Sequence, residues 1–416
     1  MNAAPLLYYD ASGAYWVEAC AGNYLQVDKS SAKLHLRAGG LSKDEYVGNL
    51  NQLENALLLA QKERSLDYAG PLSGHAPGVF RTSDGRRALV TSGTRIIKAE
   101  PGEFPAFHKF TFELLGAVQQ ERLFGWLKAA RDAQAAGDFR PGQLLALAGP
   151  SGCGKSLLQA LIGEWLGGRT AKPFRYMMGE TPFNGDLAGA EHWCIEDENS
   201  STDMRQRRRF GAALKEAVVN REFSIHPKNK QAFTLPTFRR VTLSTNDEEE
   251  NLAILPPLDG SMLDKIMLLK CSPAKVGTNR KATWSKLTGE LPALAAELDG
   301  WKIPKRIQDS RYGVEAFHHP DLIECLTSLS PEERLRNLID SVLFANRREP
   351  WKGSSAELER DLRNSSFGFA VDKLLSWSGA CGVFLARLAN IYPARITRHR
   401  DACGVHWTIG KPPVVI

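Results

Sequence analysis

The residues whose types and spacing most clearly predict a chemical role form an eight-residue loop, Gly149-Pro-Ser-Gly-Cys-Gly-Lys-Ser156. An apolar run at 144–148 precedes the loop, and a helical pattern at 157–165 follows it. Glycines allow backbone N–H groups to wrap around phosphate oxygens without a clash from a Cβ atom. The N-terminus of the following helix also attracts anions. The pattern G-x-x-x-x-G-K-S between a strand and a helix therefore predicts a cradle for the phosphates of a nucleotide.

The side chains of this P-loop have separate expected roles. Lys155 should reach the β- and γ-phosphates, and the hydroxyl of Ser156 should bind Mg²⁺. Average composition produces the bare pattern by chance in about one or two of a hundred chains of this length. The ATP-binding residues that we predict are Gly149, Gly152, Cys153, Gly154, Lys155, Ser156 and Leu157.

A carboxylate at the end of a second strand has to hold the metal and polarise water. The segment 191–198, Glu-His-Trp-Cys-Ile-Glu-Asp-Glu, has this character, since an apolar strand at 192–195 runs into three acids. We expect Asp197 to bind Mg²⁺, directly or through water, and Glu198 to orient the attacking water. Glu196 with Asp197 is a second register, and the sequence leaves both open. A solvated acidic turn is the plainer alternative, and the P-loop upstream argues against it.

Another predicted strand, at 239–246, ends in Thr245 and Asn246. In ATPases with an additional strand, a strand between the two Walker strands presents an asparagine near the γ-phosphate. Asn246 fits this catalytic role, and an ordinary asparagine turn is the alternative.

Between these strands, a helix from 203 to 220 leads into a predicted β-hairpin at 222–235, whose tip is His226-Pro-Lys-Asn-Lys230. A protruding basic tip can hold the phosphates of a single strand. His226, Lys228 and Lys230 are therefore candidate nucleic-acid contacts, and a solvated loop is the alternative.

In this order, the motifs of residues 139–272 resemble those of superfamily 3 helicases and the related primase-helicase ATPases of phages and plasmids. The segments 179–184, 246–250 and 255–259 extend the similarity, although residues 1–105 hold no primase motifs. The resemblance implies an AAA+ ATPase core that forms a ring, typically a hexamer, with single-stranded DNA in the central channel. The resemblance assigns nucleotide binding and hydrolysis to Lys155, Ser156, Asp197, Glu198 and Asn246. It assigns DNA contact to Lys228 and Lys230.

The sequence departs from this family where an arginine finger usually follows the sensor strand. Lys265 stands there as a possible trans-acting finger, although an ammonium lacks the planar fork of a guanidinium. The arginines at 205–209 and at 239–240 are alternative sources of the finger.

A chain of 416 residues is long enough for about two to four domains. We predict an α/β protein in which a P-loop AAA+ ATPase core lies between a β-rich N-terminal domain and a C-terminal winged helix. The predicted parts are an N-terminal domain of unknown role at 1–105, a helical linker at 106–138, the ATPase core at 139–272, a connecting helical region at 273–330, and a winged-helix-like module at 331–416. Within the N-terminal part we predict strands at 6–9, 15–18, 24–28 and 33–37, a helix at 41–62 capped by Ser42, and a hairpin turn around 84–85.

The C-terminal module contains two predicted helices, at 354–362 and 379–391, and then a basic hairpin at 395–409. This order resembles a winged helix-turn-helix, in which a helix enters the major groove and the wing contacts the backbone. Arg395, Arg398 and Arg400 would lie on the wing and contact DNA. A purely structural or protein-binding winged helix is the alternative.

Composition excludes fibrous, collagen-like and wholly disordered proteins, because 43% of residues are hydrophobic and 24% are charged. The net charge of +6 permits an anionic partner without requiring one. The seven cysteines include no C-x-x-C pair, which argues against a structural zinc site. The N-terminus lacks a signal-peptide pattern, and no apolar run reaches the roughly 18 residues of a membrane span, so we expect a cytoplasmic location.

We therefore interpret the sequence as that of an ATP- and Mg²⁺-dependent DNA helicase or translocase in the replication of a phage, plasmid or integrated element. We expect other replication proteins as partners, and we expect no association with a membrane. Two alternatives stay open. One is a nucleotide-switched DNA-binding or helicase-loader protein, and the other is a defence-type sensor ATPase.

Overall fold

The computed structural model describes residues 6–82, 84–196, 204–226, 232–256, 258, 261–275, 277, 279–328, 330–345, 349–401 and 404–412. The chain divides into two compact units, Met1–His319 and Pro320–Ile416. Within the described ranges, none of the helices has the length and hydropathy needed to cross a membrane.

Where the structure describes it, the N-terminal part of the first unit contains two small sheets, a separate pair of short strands and two helices. Its strands are β1 Leu7–Tyr9, β2 Ala14–Cys20, β3 Asn23–Val27, β4 Tyr46–Val47, β5 Leu50–Asn51, β6 Ser65–Leu66, β7 Tyr68–Gly70, β8 Gly78–Arg81 and β9 Arg87–Val90, and its helices are α1 Lys29–Ala38 and α2 Gln52–Glu63. One sheet has the order β3-β2-β1-β6, the other has the order β7-β9-β8, and β4 pairs with β5 alone. The turn predicted around residues 84–85 joins β8 to β9.

The strand predicted at 33–37 is wrong, because these residues lie within α1. The side chain of Asp28 accepts a hydrogen bond from the backbone N–H of Ser31 and so caps the helix. Ala32 and Leu36, one turn apart, are the buried residues of the helix. The apolar spacing is therefore helical, and not the alternation of a strand.

The helix predicted at 41–62 begins only at Gln52. Asn51 and Glu54 form a capping box, in which each side chain accepts a hydrogen bond from the backbone of the other residue. Ser42 is not the cap, since its hydroxyl accepts from a nearby loop N–H instead.

Helix α3, Pro105–Ala135, covers most of the helical linker predicted at 106–138, and Gly116 interrupts it with φ +70° and ψ 168°. Its buried face packs into the main core through large side chains, among them Phe107, Phe110, Leu114, Leu123 and Trp126. The indole N–H of Trp126 donates to the carbonyl of Gln143, 2.9 Å away. This bond joins the helix to the chain just ahead of the apolar strand that precedes the P-loop.

The described residues in the rest of the first unit form the main parallel sheet, its helices and two short hairpins. The strands are β10 Leu144–Ala148, β11 Thr170–Ala171, β12 His192–Glu196, β13 Glu222–Ile225, β14 Phe233–Pro236, β15 Arg240–Thr245, β16 Ile266–Lys270, β17 Gln308–Asp309 and β18 Gly313–Val314. The helices are α4 Lys155–Trp165, α5 Phe174–Met178, α6 Met204–Val219, α7 Glu249–Leu252, α8 Arg280–Gly289 and α9 Leu291–Gly300.

The main sheet has the order β11-β12-β15-β10-β16, and its registered pairs are all parallel. Every residue of β10 is buried and apolar, as expected for a parallel strand covered on both faces. Thr242 of β15 pairs with Leu145 on one side and with Cys194 on the other. Strand β15 therefore lies between the strand that leads into the P-loop and the strand that leads into the acids.

In its described residues, the second unit combines five helices with a three-stranded antiparallel sheet of order β19-β21-β20. Its elements are α10 Pro320–Ser328, α11 Pro331–Leu343, β19 Trp351–Gly353, α12 Ser355–Arg363, α13 Gly368–Leu374, α14 Ala380–Ile391, β20 Ile396–Asp401 and β21 Gly404–Ile409. Ser354 caps α12 through a capping box with Glu357. Strand β19, which was not predicted from the sequence, pairs with β21 and adds a third strand to the terminal hairpin.

Candidate nucleotide-binding site

The loop between β10 and α4 needs glycine at several positions. Gly152 and Gly154 have φ values of +75° and +120°, which disfavour residues with a side chain. No side chain caps the N-terminus of α4, so its first backbone N–H groups face the loop as an anion site would require. Cys153 is buried and Leu157 packs against the core, so only their backbone groups are placed to contact a phosphate.

Gly149 lies against the end of β16. A Cβ atom built on it would sit 2.4 Å from the carbonyl oxygen and 2.8 Å from the Cβ of Cys271. The N–H of Cys271 donates to the carbonyl of Ala148 at 2.7 Å, so this backbone cannot easily move away. The close approach of two backbones explains why glycine is needed here.

We expect Gly149→Ala to lower the free energy of unfolding by about 1–3 kcal/mol, because the added methyl overpacks this contact. It should also weaken nucleotide binding, measured with a fluorescent ATP analogue alongside thermal unfolding. Gly289→Ala is the matched control, because a Cβ there meets no atom within 4 Å. Wild-type stability and binding in Gly149→Ala would contradict the assigned contact.

Lys155, the first residue of α4, is 6% exposed and turns back over the loop. Its Nζ donates to the carbonyl oxygens of Gly149 and Pro150, at 2.6 and 2.9 Å. It also lies 3.3 Å from Oδ1 of Asn246. The ammonium group is thus held at the loop, where phosphate oxygens could replace the carbonyls. The next residue, Ser156, is exposed on the first turn.

Asn246 follows β15 directly and meets the P-loop from the neighbouring strand. The N–H of Gly149 donates to the carbonyl of Thr245 at 3.3 Å, and the hydroxyl of Thr245 donates to the carbonyl of Asn251 at 3.0 Å. The insertion of β15 beside β10 therefore brings Asn246 and Lys155 together, as the sequence motifs predict.

The acidic strand β12 ends at the same edge of the sheet. Glu196, its last residue, is paired in register with Ser244 of β15 and forms an ion pair with Lys172 at 3.1 Å. Asp197 and Glu198 lie outside the described residues, so their predicted roles stay predictions. Among the residues that the structure describes, His, Cys, Asp and Glu form no group of three or more that could hold a metal ion.

A pair of thiols links the P-loop to the end of β16, a contact that was not predicted from the sequence. Cys271 follows β16, and its thiol donates a hydrogen bond to the sulfur of Cys153. This bond, helped by the Lys155 ammonium, lowers the pKa of Cys153 to about 6 although burial opposes it. The same bond and burial raise the pKa of Cys271. The signal available in the sequence was only the position of Cys271 directly after an apolar strand.

The predicted hairpin is present as β13 and β14, with Phe223 and Leu235 buried and paired in register. His226, just after β13, donates its N–H to Oδ1 of Asn184 at 2.6 Å, and its ring lies 5.4 Å from that of Phe183. Lys228 and Lys230 lie outside the described residues. The base of the hairpin is thus anchored to the segment before β12.

Two candidate sources of the arginine finger are inaccessible to another chain. Arg239 and Arg240 are 5% and 2% exposed, and both donate to carbonyl groups of their own chain. Burial lowers their pKa values to about 10 and about 9. Lys265 is 7% exposed, and its Nζ pairs with Asp264 of its own chain at 2.5 Å, so its predicted role as a trans-acting finger stays a prediction. Of the alternative arginines, Arg209 is exposed.

The predicted wing residues differ in what surrounds them. Arg395 forms an ion pair with Asp340 and donates to the carbonyl of Gly410 at 2.9 Å. Its guanidinium is therefore engaged inside the module, contrary to its predicted DNA contact. Arg398 and Arg400 on β20 are exposed, and their DNA contacts stay predictions.

Comparison with known proteins supports the fold. The model of a family of unknown function, DUF5906, matches residues 147–259, a range that holds the P-loop, the acidic strand, the hairpin and Asn246. No curated protein matches the chain. Two apo structures of the NrS-1 C-terminal region match with TM-scores of 0.58 and 0.56, each at 12% identity over 98% of this chain and 96% of the other. The chain shares the fold of the NrS-1 C-terminal region.

A further structure, described as SCCmec type IV Cch, active helicase, covers 94% of this chain and 74% of its own at 11% identity. Its TM-score of 0.29 is too low to carry an argument. None of these matches names superfamily 3, and that resemblance remains a hypothesis.

Proposed function

We propose that this protein hydrolyses ATP in the presence of Mg²⁺ and uses the hydrolysis to move along or separate nucleic-acid strands, as a helicase does. The observation that carries the proposal is the 3.3 Å approach of the Lys155 ammonium to Oδ1 of Asn246 across two neighbouring strands. A cation on the P-loop and an amide on the inserted strand are the pair that a γ-phosphate would need on its two sides.

The residues of the site have distinct proposed roles. Lys155 releases its loop carbonyls and binds phosphate oxygens, while Asn246 orients the terminal phosphate. Ser156 and Asp197 would hold Mg²⁺, and Glu198 would orient the attacking water. When bound, Mg²⁺ supplies positive charge that stabilises the charge developing on the phosphates.

We assign the movement of the protein along a nucleic-acid strand to the hairpin formed by β13 and β14. Its base packs beside β12 through Phe223, whose ring lies 5.1 Å from that of Trp193. A shift at the acid-bearing end of β12 could thus reach the hairpin tip. Assembly into a ring, with single-stranded DNA in the channel, is part of the proposal, as is action in the replication of a phage, plasmid or integrated element.

The first test is the ATPase rate with and without single-stranded DNA. We expect DNA to stimulate hydrolysis by about 5- to 150-fold, the range typical of coupling between two sites. The stimulation should fall in the double variant Lys228→Ala with Lys230→Ala, while the rate without DNA stays the same. Hydrolysis that is indifferent to DNA would instead favour a loader or a sensor ATPase.

A further inference from the structure

Two arginines face each other across the hairpin of β8 and β9 in the N-terminal part of the chain. Arg81 and Arg87 are direct partners in the antiparallel register. Like charges in this position destabilise a strand pair. Arg81 donates to the carbonyl of Gly85 at 3.2 Å, and Arg87 donates to the carbonyl of Glu63 at 2.6 Å. Within the described ranges, neither guanidinium forms an ion pair with a carboxylate.

A third guanidinium belongs to the same group. Arg64 is the C-cap residue of α2 and directly follows Glu63, the last residue of the helix. Burial lowers the pKa of Arg87, and the charges of Arg81 and Arg64 lower it further, while Asp67 opposes them only in part. Arg81 and Arg64 therefore each lie close enough to Arg87 to repel its charge. This repulsion raises the free energy of the protein when no anion is bound, and the binding of an anion would relieve it.

The turn that joins the strands of Arg81 and Arg87 lies beside the hairpin of β13 and β14. Arg86, in the turn between β8 and β9, donates to the carbonyl of Ala232, one residue before β14. Asp84 pairs with the same guanidinium at 3.1 Å. The turn of the N-terminal hairpin thus contacts the arm of the hairpin whose tip is the proposed nucleic-acid contact.

We propose that Arg64, Arg81 and Arg87 form a phosphate-binding surface that holds the sugar–phosphate backbone of a single nucleic-acid strand next to the β13–β14 hairpin. Guanidinium groups bind phosphate oxygens with two parallel hydrogen bonds, and three of them can follow successive phosphates. This inference rests on the proposed function for the presence of a nucleic acid. The proposed surface gives a role to the N-terminal part, for which the sequence predicts none.

The test measures binding of the full-length protein to fluorescein-labelled oligothymidylate by fluorescence anisotropy, without ATP, over a range of salt concentrations. In the double variant Arg81→Gln with Arg87→Gln, we expect about tenfold weaker binding and a salt slope smaller by about 1.4, since each lost single-strand phosphate contact contributes about 0.7. The double variant Lys29→Gln with Arg37→Gln on α1 removes the same charge from the same part of the chain. It should bind like the wild type.

The variant Arg81→Lys with Arg87→Lys separates an effect of lost charge on binding from an effect of lost stability. It keeps both charges, and we expect it to keep the salt slope and most of the affinity, with a melting temperature near that of the wild type. Unchanged affinity and slope in the glutamine variant would overturn the inference while leaving the proposed function intact. An equal loss in the α1 control would also overturn it, because general charge would then explain the effect. A wild-type protein that binds no single-stranded DNA would overturn both.

Discussion

Lys155→Ala is expected to lower the ATP hydrolysis rate by about 10²–10³, the cost typical of removing one preorganised charge-stabilising donor. The Nζ of Lys155 is held within 3.3 Å of the P-loop carbonyls and of Asn246, so its removal leaves a buried space at the proposed phosphate site. Nucleotide affinity should fall as well, because in the proposed mechanism Lys155 binds phosphate both before and during the reaction. Phosphate release and binding of a fluorescent ATP analogue measure the two effects.

The matched control is Lys286→Ala on α8, an exposed lysine outside the proposed site. It should hydrolyse ATP at the wild-type rate. If Lys155→Ala retained wild-type turnover, the loop would be a structural turn and the proposed function would fail at its central residue.

Asn246→Ala should reduce kcat by about 10²–10³ with little change in KM, since an amide that orients the terminal phosphate acts mainly on the transition state. Asn246→Asp tests the geometry more sharply. Its carboxylate would pair with the Lys155 ammonium and repel phosphate, so we expect KM to rise as well as kcat to fall.

Asn251→Ala is the control for this pair, because its side chain is exposed and only its backbone carbonyl contacts Thr245. It should leave both kinetic constants unchanged. Equal effects of Asn246→Ala and Asn251→Ala would mean that the segment after β15 is merely sensitive to substitution, and Asn246 would lose its assigned role.

Local patterns explain why the sequence predicts the P-loop and its neighbouring strands. The glycines and Lys155 follow one another along the chain, and the apolar runs at 144–148 and 192–195 have the length of buried strands. The place of β15 between β10 and β12 does not follow from such patterns alone. It was predicted from the order of motifs, as in additional-strand ATPases, and the sheet has this order.

Contacts between distant residues could not be read in the same way. The approach of Cys271 to Cys153 depends on the pairing of β16 with β10, and the engagement of Arg395 by Asp340 depends on how α11 packs. Residues 33–37 of helix α1 were predicted as a strand because Leu34 and Leu36 alternate with polar residues, and the cap of the helix, Asp28, was assigned to the preceding strand. Capping and burial, which decide such short segments, become visible only in three dimensions.

The order of strands in the main sheet has a consequence for synthesis of the chain. Strand β10 ends at Ala148, but its two partners begin at Arg240 and Ile266. At about 5–20 residues per second, the first partner leaves the ribosome roughly 5–20 s after β10. During this interval five apolar residues have no sheet to join, and Gly149 lacks the carbonyl of Thr245 that fixes its N–H. A nascent chain that already carries the whole glycine-rich motif is therefore still unable to fold it, and its exposed strand is a natural target for chaperones.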